Sequence, residues 1–135
     1  MKQYIADANI VLRYILNDIP KQADEVERYF LKAASGEIIM TIPVIVFVEL
    51  VYVLYKQYRL GRTDIQTRLT VVAQMPHLDV ENRHIILEAL STWAKTTVSF
   101  IDCLLLSVAN DTRKELLTFD KRLQRLSKKL VKDAR

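Results

Sequence analysis

Apolar residues along this chain fall alternately into short runs and helix-spaced stripes. Residues 2–6 read as a short buried strand that stops at Asp7, and across 9–16 the residues Ile10, Val11, Tyr14 and Ile15 recur at helical spacing. Pro20 suits the first turn of a second helix, whose stripe is Ala23, Val26, Tyr29, Phe30 and Ala33. Ser35-Gly36 ends it, because glycine takes the left-handed cap without steric cost. A strand is predicted over 37–42. Pro43 then opens a helix to about Tyr58, and Leu60-Gly61 stops it. Thr63 is the expected cap of a helix to about Met75, followed by a short strand over 76–80 and a helix from Glu81 to about Ala94. Ser99 opens a helix to about Thr112, residues 115–119 form a strand, and Asp120 begins a final basic helix, with an edge strand near Leu130-Val131.

Strands that alternate with helices imply parallel strands joined by crossovers, hence an α/β domain of three layers around a central parallel sheet. At 135 residues, with two glycines, three prolines and no internal repeat, the chain reads as one continuous domain over 1–135. Binding sites in such sheets collect beyond the carboxyl ends of the strands.

Ile38 to Tyr55 is nearly all apolar and is barely long enough to span a bilayer of about 30 Å. Glu49 near its middle would cost roughly 2.5–3.5 kcal/mol on insertion scales, and Pro43 divides it, so the non-membrane reading stands. Met1-Lys2-Gln3 leads at once into the first strand, so no signal peptide is expected. Cys103, the only cysteine, can make no internal disulfide; a reducing cytoplasm is the expected setting, with Cys103 as a small core residue. The net charge of +4 suits an anionic partner, and much of it lies over 121–135. That segment carries Lys121, Arg122, Arg125, Lys128, Lys129, Lys132 and Arg135, either a solvated helix face or a phosphate contact.

Four acids carry the candidate chemistry. Asp7 and Asp120 each close a predicted strand, where a helix N-cap is the local alternative. Asp102 follows Ser99 in a Ser-x-x-Asp pattern that resembles a capping box, yet its flanks are wholly apolar and place it near the interior. Glu49 is the sole charge between Ile42 and Tyr55 and is expected to be buried, so it must be protonated, metal-bound or paired, with Arg13 or Arg62 as the competing partners. Carboxylates that converge need a cation to stay ionised. Oxygen donors without a His or Cys cluster point to Mg²⁺ or Mn²⁺, not zinc, and His77 and His84 lack ligand spacing. Such an acid pocket in a mildly basic chain suits phosphodiester hydrolysis by metal-activated water.

The pattern resembles that of PIN domains, and among them the VapC-type toxins of toxin–antitoxin pairs. The resemblance spans essentially the full chain. It rests on Tyr4-Ile5-Ala6-Asp7-Ala8-Asn9-Ile10-Val11-Leu12, Val48-Glu49-Leu50, Ser99-Phe100-Ile101-Asp102 and Leu117-Thr118-Phe119-Asp120. It implies a magnesium-dependent endoribonuclease whose acidic quartet is Asp7, Glu49, Asp102 and Asp120. Asn9 and Thr118 stand at the family's supporting polar positions, Ser99 caps its helix, and Arg13 reaches phosphate or pairs with Glu49. Ala8 stands where Thr is commoner and Cys103 where Ala is commoner; neither change removes a carboxylate. The resemblance further implies a homodimer and an antitoxin whose C-terminal tail blocks the pocket. Tyr52, Tyr55 and Tyr58 either line such interfaces or pack locally, and Trp93 reads as packing.

Two rivals remain open on the residues alone. Asp7-Ala8-Asn9 loosely resembles the Asp-x-Asp of haloacid-dehalogenase phosphatases, with Asp7 as nucleophile. A non-enzymatic binding module, its acids serving only as caps, is the other.

Overall fold

The computed structural model describes residues 1–133. They fall into two compact units, Met1–Arg83 and a second that begins at His84.

The first unit holds β1 (Lys2–Ile5), α1 (Ala8–Leu16), α2 (Pro20–Ala34), β2 (Ile38–Ile42), α3 (Val44–Lys56), α4 (Arg62–Ala73) and β3 (Asp79–Val80). Its sheet has the order β1-β2-β3 and is parallel throughout, with Lys2 opposite Ile38, Ile5 opposite Thr41, and Ile42 opposite Val80. Parallel neighbours need crossovers, and α1–α2 and α3–α4 supply them, as the alternating pattern predicts. In the central strand the alternation buries Ile38, Met40 and Ile42. The Ala6 N–H continues the ladder to the Thr41 carbonyl at 2.9 Å, so Asp7 is the first residue past the carboxyl end of β1.

Helix ends follow local chemistry, with two departures from expectation. Gly36 takes φ +80° after α2, and the Gly36 and Glu37 amides return to the Ala33 and Lys32 carbonyls, which closes the last turn. The cap of α4 is Gly61, not Thr63: Thr63 lies one residue inside the helix, where its hydroxyl cannot meet the first free amides. Pro43 precedes α3 as its N-cap but has no side-chain acceptor; the Glu81 carboxylate takes the Val44 N–H instead, at 3.1 Å. Arg83 donates to the Ala73, Met75 and Leu78 carbonyls at 2.8, 2.8 and 2.5 Å, gathering the segment between α4 and β3.

The second unit is helical: α5 (Arg83–Lys95, entered from the boundary residue), α6 (Phe100–Asp111) and α7 (Lys121–Asp133). Ile86, Ala89, Leu90 and Trp93 of α5 are buried, as are Phe100, Cys103, Leu104 and Leu106 of α6. Trp93 meets Phe100 edge-on at 6.3 Å, a packing role, and Cys103 is a core residue. Asn110 donates to Glu88 at 3.1 Å and Ser107 to the Ile85 carbonyl at 3.3 Å, tying α6 to α5.

Two of the expected strands do not form among the described residues. Residues 115–119 form no strand among the described residues, and Leu117 and Phe119 are fully exposed. A strand exists only where a neighbouring backbone completes its ladder, and this segment instead ends in side-chain turns. The Asp120 N–H bonds the Thr118 hydroxyl at 3.1 Å, and Gln124 bonds the Thr118 carbonyl at 2.7 Å. Leu130-Val131 belongs to α7 rather than to an edge strand. Arg135 of the basic tail lies outside the described residues. Among those residues no helix is long and apolar enough to cross a membrane; the run from Ile38 to Tyr55 is divided into β2 and α3.

Candidate functional site

Asp7 leaves the sheet and turns at once into α1. Its Oδ1 accepts the Ile10 N–H at 3.1 Å, so the local alternative, an N-cap, is realised. A cap uses one carboxylate oxygen. The side chain is exposed, and it lines a cleft of about 300 Å³ together with Ala8, Asn9, Leu12, Arg13, Glu49, Val53, Gln57 and Tyr58. Asn9, one of the expected supporting residues, thus shares the cleft with Asp7.

Glu49 reaches the cleft from α3. It is exposed, which corrects the buried carboxylate expected from its apolar neighbours. The reason is helical geometry: Val46, Phe47, Leu50, Val51 and Leu54 fill the buried face of α3, while Ile45, Glu49 and Tyr52 lie on the other. An apolar stretch does not oblige every residue in it to face the core. Glu49 makes no ion pair among the described residues, so neither Arg13 nor Arg62 is its counter-charge.

Arg13 lines the same cleft but is committed elsewhere. Its Nη1 meets Asp18 Oδ1 at 2.5 Å and its Nη2 donates to the Tyr58 hydroxyl at 3.3 Å. The Tyr58 contact raises the guanidinium's pKa above its ordinary value; burial opposes this and Asp18 adds to it. The cleft therefore presents two carboxylates and two side-chain amides, Asn9 and Gln57, and its one cation is already paired. Hard oxygen donors short of positive charge are what a small divalent cation requires. The donor set fits such an ion, although two carboxylates do not complete a cage. Within neither unit do three or more Asp, Glu, His or Cys side chains gather in the described residues.

In the second unit Ser99 caps α6, its hydroxyl accepting the Asp102 N–H at 3.2 Å. Only this half of the expected capping box forms within the unit. The Asp102 carboxylate is half-buried and makes no hydrogen bond there. Asp120 caps α7 through Oδ1 and the Leu123 N–H at 3.0 Å, and Thr118 supports it through the Asp120 amide. Asp7 and Asp120 thus share one local design, a carboxylate that accepts a backbone N–H from the first turn of the helix it precedes.

Sequence reasoning missed Asp18 and the tether role of Tyr58. Asp18 follows Asn17, whose left-handed φ of 51° ends α1, and the chain there folds back on Arg13. The Arg-to-Asp spacing was the only available signal.

The family model for the PIN domain matches residues 4–129, across both units. The chain belongs to the PIN-domain family. It is also 27% identical over 128 residues to a VapC ribonuclease of Aquifex aeolicus (strain VF5), an alignment that covers 94% of each protein. These matches bear out the resemblance to VapC-type PIN proteins and the three-layer α/β/α fold class, of which the parallel sheet is the visible part.

Proposed function

We propose that this chain is an endoribonuclease toxin of the VapC type, one PIN domain over 1–135, hydrolysing RNA phosphodiesters with Mg²⁺, for which Mn²⁺ can substitute. The observation that carries the reading is the cleft where Asp7 and Glu49 lie together without a cationic partner, in a chain similar along its length to a VapC ribonuclease.

Asp7 and Glu49 would hold the metal, and Asp102 and Asp120 complete the acidic set by their place in the family's motifs. Bound metal supplies a water acidic enough to attack phosphorus and charge to steady the departing oxygen. The protein's own share is positioning. The Ile10 amide fixes the Asp7 carboxylate, the Thr118 hydroxyl fixes the backbone at Asp120, and the Ser99 hydroxyl fixes the amide of Asp102. Asn9 orients its neighbouring carboxylate. Arg13 uses two of its five N–H donors on Asp18 and Tyr58, which leaves three for a phosphate oxygen. The basic helix α7 adds sequence-independent attraction for the RNA backbone. A homodimer, a VapB-type antitoxin that occludes the acids, and a cytoplasmic location belong to the same proposal.

The test is RNA cleavage with and without Mg²⁺ by the wild type and by Asp7→Asn, Glu49→Gln, Asp102→Asn and Asp120→Asn, each checked for native folding. Metal-dependent cleavage lost in the folded variants supports the reading. Full activity in Asp7→Asn and Asp102→Asn would overturn it.

A further inference from the structure

One arrangement lies outside the acidic quartet: a cation at the wall of the acidic cleft, tied from two sides. Arg13 stands on α1 in reach of the space lined by Asp7 and Glu49, yet it pairs with neither. Asp18 holds it from the loop after α1, and Tyr58 holds it from just past the end of α3, 45 residues away in the chain. Its side chain is only 12% exposed, so this guanidinium is lodged rather than waving in solvent.

We infer that Asp18 and Tyr58 are positioning residues that keep the Arg13 guanidinium off Glu49 and Asp7, so that the two carboxylates stay available to a divalent cation. The inference rests on the metal-site reading above. Asp7 and Glu49 share the cleft with Arg13, so without the tethers they are uncompensated anions open to it, as are Asp24 and Glu27, which line a second cavity with the same guanidinium. A guanidinium forks onto a carboxylate in bidentate fashion and would fill the oxygens that a metal needs. The two tethers do different work. Asp18 supplies the counter-charge that makes Arg13 electrically content where it is. The Tyr58 hydroxyl supplies direction, since a neutral acceptor at 3.3 Å can steer the fork without adding charge to the cleft. Tyr58 also couples the exit of α3 to α1, so the helix that carries Glu49 and the one that follows Asp7 are held to one cation.

The experiment is Mn²⁺ binding to the full-length protein, followed by the electron paramagnetic resonance of the free ion and by calorimetry, with no RNA present. In Asp18→Asn, Mn²⁺ affinity falls by about fivefold, the worth of one new exposed ion pair between Arg13 and a cleft carboxylate. Tyr58→Phe, which changes no charge, lowers it by about twofold. The decisive arm is Arg13→Gln: it raises affinity several-fold more in the Asp18→Asn background than in the wild type, because only there does Arg13 compete with the metal. Loss of a merely structural contact would lower thermal stability in Asp18→Asn without that rescue. An Arg13→Gln effect of equal size in both backgrounds, or unchanged affinity in Asp18→Asn, overturns the tether. Failure of the wild type to bind Mn²⁺, or binding indifferent to Glu49→Gln, removes the metal site itself and is thereby told apart.

Discussion

Asp7, the cap before α1, and Glu49, within α3, open onto one cleft, yet only Asp7 has a structural duty: it holds the Ile10 amide, while Glu49 holds nothing. The two carboxylates therefore answer differently to substitution, and that difference separates folding from function.

At Asp7 the amide replacement keeps an oxygen for the cap. Asp7→Asn is expected to melt within about 0.5 kcal/mol of the wild type, whereas Asp7→Ala costs about 1 kcal/mol. Both lose Mn²⁺-induced stabilisation and RNA cleavage. Denaturant unfolding beside metal titration checks the split.

Glu49 is exposed and unpaired, so Glu49→Gln leaves apo stability within about 0.5 kcal/mol. A native-state ligand at a hundred times its Kd stabilises by about 2.7 kcal/mol, and this gain is expected to shrink sharply in Glu49→Gln. An undiminished thermal shift with Mn²⁺ would remove Glu49 from the site.

Gly36 has open space around it, so a methyl group there meets no neighbour and only the backbone objects. Gly36→Ala is expected to cost about 1 kcal/mol through its φ of +80°, with an unchanged denaturant slope and unchanged metal binding.

Arg83 satisfies three carbonyls, one at the end of α4 and two between α4 and β3, a task no point charge can share equally. Arg83→Met is expected to lose about 2–3 kcal/mol, and Arg83→Lys to recover only part of it, as measured by urea unfolding.

The sequence by itself determined what near neighbours decide. Helical spacing placed α1, α2, α3, α5 and α6, Gly36 marked the end of α2, and Asp7, Ser99 and Asp120 could be read as caps because a cap is settled within four residues. The order of strands and helices implied a parallel sheet, and three strands formed it. The strand expected at 115–119 was not legible in the same way, since a strand depends on a partner that its own residues do not specify.

Tertiary structure alone decided which side of α3 faces the core, and with it that Glu49 is open to solvent. An apolar run states how much surface wants burial, not which residue is left outside. It also decided that Arg13 belongs to Asp18 and Tyr58 rather than to Glu49. Ion pairing follows distance in space, and only the packed helices bring a residue 45 positions away within reach of that guanidinium.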